Sequence, residues 1–198
     1  MTLPLKCVVV NALVNKRLAV LNTMAAVTRS TDMDDFMRLA GLPSSEVLAT
    51  LKDLAQDGFV TKTKHGYAIA EKGLLALTAL KQLPGDKTFH FYLGIDQPAG
   101  ASARNIKEFY SVVETVAAGS LEFHSERGDF ENWAKTSIED EVFAGDLSGL
   151  RKESLKGEML RKQILLGLLA RFGEDVLLRD WIDNTTLLAS DQGNSSAS

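Results

Sequence analysis

The chain is short of the residues that most small-molecule and metal chemistry depends on. It holds one cysteine, Cys7, and three histidines in 198 residues. A lone cysteine excludes an internal disulfide framework and a zinc site built on cysteine pairs, and it fits a reducing cytosol. His65, His90 and His124 lie far apart in sequence, and no HExxH or HxxE spacing occurs. There is no P-loop and no GxGxxG. The segment Pro98–Ser102 precedes a helical pattern, but its one glycine, Gly100, is too few to cradle phosphate. No cofactor is therefore expected. No apolar run reaches the ~18 residues a membrane helix needs. The opening stretch MTLPLKCVVVNALVNKR has no basic region ahead of its apolar run and no small-residue cleavage site. It reads as a strand or helix packed on a core, not as a signal peptide, and the protein is expected to be cytoplasmic.

What is present is the composition of a soluble globular protein, 45% hydrophobic and 24% charged. The net charge of −4 is unevenly spread. Met1–Leu83 carries ten Lys/Arg against seven Asp/Glu, and the remainder carries twelve against nineteen. A basic module joined to an acidic one suggests different partners, with phosphate attracted to the first and repelled by the second.

The apolar spacing predicts mainly helix with one small β-wing. Leu13, Val14, Leu18, Leu21, Met24, Ala25 and Val27 mark one buried face of a helix over 13–28, with Lys16 and Arg17 towards the other face. Ser30, Thr31 and Asp32 offer N-cap oxygens for a second helix, which Gly41 ends in a left-handed conformation. Pro43 blocks continuation, and Ser44 or Ser45 caps a third helix with Val47, Leu48, Leu51, Leu54 and Ala55 on its core face. Phe59–Thr63 and Tyr67–Ile69 alternate as strands about a turn at His65–Gly66, and Glu71–Lys72–Gly73 opens a closing helix of the same module. Leu83-Pro84-Gly85-Asp86 is the strongest break and sets a boundary between domains 1–83 and 84–190.

Beyond it, Phe89–Leu93 reads as a strand and Gly94–Ser102 as a loop. Ile106, Phe109, Tyr110, Val113 and Val116 form a helical stripe that Gly119–Ser120 breaks. Helical patterns follow over 121–134, 139–147, 155–172 and 176–188, and the polar tail 191–198 reads as disordered.

The run DLAQDGFVTKTKHGYAIAEKG, with the helix-turn-helix pattern before it, resembles winged-helix transcription regulators of the MarR and ArsR type over Thr31–Lys81. The resemblance implies a DNA-binding, dimeric transcription regulator whose second helix enters the major groove. The sequence departs from a strong DNA binder in one respect, since that helix has Lys52 alone against Glu46, Asp53 and Asp57. The motifs FHFY, AxxIKEF, SLEFHSERGDFENW and LRKESLKGEMLRKQI resemble a helical domain of unknown function from archaeal proteins, which implies an archaeal cytosolic protein and assigns no activity.

Two sets of candidate residues follow. For double-stranded DNA they are Ser44, Ser45, Thr50, Lys52 and Gln56 on the second helix of the motif, with Lys62, Lys64 and His65 on the wing. Lys16, Arg17, Arg29 and Arg38 could widen the basic surface. For a small ligand or protein partner they are Phe123, His124, Arg127, Asp129 and Trp133. Three functions compete: a DNA-binding regulator with a ligand- or partner-binding helical domain, a protein-interaction adaptor that touches no DNA, and an enzyme built on His124. The plain structural alternative for the second set is that Phe123, Phe130 and Trp133 are core, Arg127 pairs with an acid, Asp129 caps a helix, and His124 stays partly exposed.

Overall fold

The structure, a computed structural model, describes residues 15–27 and 32–179. Cys7 and the rest of residues 1–14, Arg29, residues 180–188 of the helix foreseen over 176–188 and the polar tail lie outside the described residues. The described residues are mainly helical, with two small antiparallel sheets. They divide into two compact units, the first ending at Ile69 and the second running Ala70–Arg179.

The first unit holds α1 (Lys16–Ala26), α2 (Met33–Ala40), α3 (Ser44–Gln56) and the hairpin of β1 (Val60–Thr63) and β2 (Gly66–Ile69). The Asn15 side chain accepts the Leu18 N–H, and Asp32 accepts that of Asp35, so each helix start has one of its orphan donors satisfied. Gly41 closes α2 at φ 67°, a left-handed turn that costs glycine little. Helix α3 starts at Ser44 with Pro43 in the N-cap position, so neither Ser44 nor Ser45 caps it. Pro43 has no N–H to satisfy, and its fixed φ suits an entry to a helix.

Val20, Leu21, Val47, Leu51, Leu54 and Phe59 make the core of this unit. Burying a side chain such as Leu54, fully shielded, contributes about 1.5–3 kcal/mol. Leu48, expected in that core, is 41% exposed, and Thr50 takes the buried position instead. The hairpin pairs Val60 with Ile69 and Thr63 with Gly66, which makes Lys64–His65 its two-residue loop, one residue earlier than the turn read from sequence.

The second unit begins with α4 (Glu71–Leu80), placed by sequence order in the first module but built into the second. Gly73, Ala76 and Ala79 form its buried face. Such small side chains allow close backbone approach, and α4 packs on α5 (Ile106–Thr115), α9 (Gly157–Phe172) and α10 (Glu174–Leu177). Lys72 pairs with Asp175 at 2.6 Å. The foreseen boundary at Leu83–Asp86 is bound into the same unit, since the Leu83 N–H donates to the Arg104 carbonyl at 2.8 Å. The division therefore falls at Ile69/Ala70.

Strands β3 (Phe89–Gly94) and β4 (Gln97–Ala103) form the second hairpin, and β4 occupies most of what reads in sequence as a loop. Pro98 lacks a donor and Gly100 sits at φ 73°, yet a two-stranded sheet tolerates both, because every strand has a free edge and the register slips near Tyr92. Helix α5 buries Ile106, Phe109, Tyr110 and Val113 as its stripe predicts, and Asn105 accepts the Glu108 N–H at 2.7 Å.

The break after α5 falls at Val116–Ala117; Gly119 and Ser120 lie inside α6 (Ala118–Arg127). Gly128, at φ 72°, splits the helix foreseen over 121–134 into α6 and α7 (Asp129–Trp133), and a π-type turn at Ala134–Ile138 leads to α8 (Glu141–Lys152). Phe89, Phe91, Phe109, Phe130 and Trp133 pack edge-on, tilted or stacked with ring centroids between 4.8 and 6.3 Å. Leu160, Ile164, Leu168 and Phe172, spaced by four, line the buried side of α9. Among the described residues no helix is long and apolar enough to cross a membrane.

Candidate functional site

Two surfaces gather the candidate residues. The first is the exposed side of α3 with the first hairpin. A helix repeats its face every three or four residues, so Ser45, Leu48, Ala49, Lys52 and Gln56 form one solvent-facing stripe, and all five are exposed. Ser44 is half-buried beside it. Thr50 points the other way and is 6% exposed, so it belongs to the core and reaches nothing outside the unit. Lys62, Lys64 and His65 are exposed on the hairpin.

The charges sort into two groups. Lys16 pairs with Glu46 at 3.3 Å, Arg17 with Asp57 at 2.7 Å, and Arg38 with Asp35 at 2.6 Å. Lys16 and Arg17 therefore fold back onto α3 rather than widening a basic surface, and the Arg17 guanidinium lies 5.2 Å from the Phe59 ring centroid. Lys52, Lys62 and Lys64 form no ion pair among the described residues and project freely. Beside the hairpin lies an apolar groove of about 400 Å³ between Met24, Met33, Phe36, Leu51 and Tyr67, which the sequence reading did not single out.

The second surface is a cleft of about 500 Å³ between the outer face of β3 and the end of α6, lined by Tyr92, Asp96, Phe123, His124, Arg127 and Asp129. It brings together four of the five ligand candidates. Trp133 is not among them. It is buried, stacks on Phe109 at 5.0 Å, and donates its indole N–H to the Lys87 carbonyl. Phe123 is half-buried rather than core, with the Arg127 guanidinium 5.2 Å from its ring centroid. Asp129 does not cap α7. Its carboxylate is drawn back to Arg127 Nε at 3.1 Å and to His124 Nδ1 at 2.8 Å.

His124 is 4% exposed, against the expectation of a partly exposed ring. Its Nε2 accepts the Tyr92 backbone N–H at 2.8 Å. An acceptor nitrogen carries no proton, so the ring hydrogen sits on Nδ1 and is donated to Asp129, which assigns a neutral imidazole. Burial lowers the His124 pKa below its ordinary value and outweighs the hydrogen bond and charge of Asp129, which raise it. The histidine–carboxylate pair has the look of a general base, but the nitrogen that would take a substrate proton is already committed to the backbone. Glu122 and Glu126, one turn apart, are held by Lys156, and Glu122 also accepts the Gly157 N–H.

Tyr92 and Asp96 are the cleft residues that the sequence does not single out, whereas alternation with the buried Phe89 and Phe91 turns His90 outward, towards solvent or a partner, and it is exposed there. Nothing local announces that β3 lies along α6. Among the described residues no group of three or more His, Cys, Asp or Glu is placed to hold a metal ion. No protein-family model, curated protein or solved structure matches the chain.

Proposed function

We propose that the first unit is a winged helix-turn-helix that binds double-stranded DNA, with α3 in the major groove and the β1–β2 hairpin as the wing, in a cytoplasmic transcription regulator. The observation that carries this is the disposition of cations. Three basic side chains nearby are neutralised by acids, whereas Lys52, Lys62 and Lys64 stand clear on α3 and the hairpin. Free lysines on a protruding hairpin suit contact with phosphates on either side of a groove, and Ser45 and Gln56 supply small polar groups to the same face. A homodimer would pair two such helices on half-sites about one DNA turn apart. The β3–α6 cleft, with an aromatic wall at Tyr92 and Phe123 and charge at Arg127, supplies the ligand or partner site of the second unit.

One observation favours a protein-interaction adaptor as the second reading. The α3 face that would enter DNA also exposes Leu48 at 41%, and α2 exposes Leu39 at 57%, side chains better suited to a protein partner. Titration of random-sequence duplex at several salt concentrations separates the two. Binding whose logarithm falls linearly with the logarithm of salt supports DNA; absence of binding at low salt rejects it and leaves the adaptor.

A further inference from the structure

His124 holds two bonds that only its neutral form can make together. Its ring lies among Phe89, Phe91, Phe123 and Phe130, with centroids 4.9 to 5.9 Å away. Nδ1 donates to Asp129 on α7, and Nε2 accepts the N–H of Tyr92 on β3. Tyr92 stands where the β3–β4 register slips on both sides, a place where backbone groups commonly lose their ladder partners. The imidazole thus takes a strand N–H at the irregular point of the hairpin and ties it to the helices. A proton added to Nε2 would set a donor against a donor, and the Tyr92 N–H would have to leave.

We propose that His124 is a proton-operated latch: neutral, it clamps β3 at Tyr92 against α6, and protonated, it releases the outer end of the hairpin and opens the cleft beneath. The hairpin tip beyond Tyr92 is suited to move. Leu93 is 48% and Ile95 76% exposed, so little packing holds the tip once the clamp is lost. The inner end is anchored separately, by buried Phe89 and Phe91 in the aromatic core.

The charged and titratable groups around the latch are few. From α6 itself comes Arg127, and α7 brings Asp129 and Glu131, the latter held by Arg151 of α8. From β3 come His90 and Tyr92, with Asp96 at the tip lining the same cleft. Helix α9 brings Arg161, committed to the Val113 and Val116 carbonyls, and Lys156 before it is held by Glu122 and Glu126. Of these, Asp129 favours the charged imidazole and Arg127 opposes it, while burial opposes it most. The latch therefore opens on the acid side of the usual imidazole value of about 6.5.

The test follows amide hydrogen exchange and imidazole titration by NMR on the full-length protein, from about pH 7.5 down to about pH 5, a range that spans ordinary imidazole titration. Corrected for intrinsic exchange, Tyr92 protection should fall about tenfold or more in step with His124 protonation, as expected for loss of one buried hydrogen bond. Phe89, paired with Ala103 at the inner end, should keep its protection. His90→Ala should leave the midpoint unchanged, and His124→Gln, which does not titrate, should make Tyr92 protection independent of pH. Should the glutamine variant not fold, the wild type and His90→Ala still decide. A Tyr92 amide that stays protected while His124 is charged overturns the latch. So does a loss shared equally by Phe89, or one that disappears in His90→Ala.

Discussion

The indole N–H of Trp133 donates to the backbone carbonyl of Lys87 at 2.9 Å, across 46 positions of sequence. One side chain thereby anchors the approach to β3 onto α7 while its ring stacks on Phe109. Truncation of Trp133 to Ala should cost about 3–5 kcal/mol, as is usual for a large buried aromatic. Trp133→Phe keeps most of the packing and leaves the Lys87 carbonyl without its donor, so it should cost less, about 1–3 kcal/mol. Urea unfolding of the two variants measures both; equal losses would mean that the hydrogen bond, not the ring packing, matters.

Asp140 is 6% exposed, accepts the Phe143 N–H to cap α8, and pairs with Arg171 of α9 at 3.0 Å. Asp140→Ala removes the cap and leaves Arg171 unpaired, with an expected cost of about 2–4 kcal/mol. Asp140→Asn retains the capping oxygen and should cost less. Thermal denaturation of the pair distinguishes cap from charge.

His124 is lowered in pKa in the folded chain, chiefly by burial. The unfolded chain, near the ordinary value of about 6.5, then binds more protons below that pH, so stability rises with pH through this range. The contribution is fully present above about pH 6.5 and is lost as pH falls from there towards the folded value. Urea midpoints of the wild type should fall over this window, and those of His124→Gln should fall less. His124→Ala should cost about 3 kcal/mol even at neutral pH, because it empties a buried ring position and strands the Tyr92 N–H.

If the hairpin is a wing, Lys62→Ala combined with Lys64→Ala should weaken binding to all duplex sequences and lower the salt dependence by about two phosphate contacts. Fluorescence anisotropy at four salt concentrations measures the slope. An unchanged slope with retained DNA binding would assign the contacts to α3 alone.

A fragment of Ala70–Arg179 should fold, and one beginning at Asp86 should be much less stable. The shorter piece loses the Gly73–Ala76–Ala79 face of α4 and the Leu83 hydrogen bond to Arg104. Circular dichroism melting of the two fragments tests this. Equal melting temperatures would return the boundary to Leu83–Asp86.

The amino-acid sequence by itself determined the elements whose signals are local. Asp32 and Gly41 bound α2, the Ile106–Val116 stripe makes α5, and the His65–Gly66 signal marks the turn of the first hairpin to within one residue, because capping, helical period and turn chemistry act over three or four residues. Ser45, Lys52, Gln56, Lys62, Lys64 and His65 were legible as surface for the same reason. Tertiary structure alone decided what depends on a distant partner. Thr50 is buried because α3 turns that face inward, and α4 joins the second unit because its small residues admit α5 and α9. Pro98 enters a strand because β3 accepts it at an irregular register. His124 is buried and neutral because an N–H from 32 positions earlier reaches its ring, a contact that no local pattern encodes.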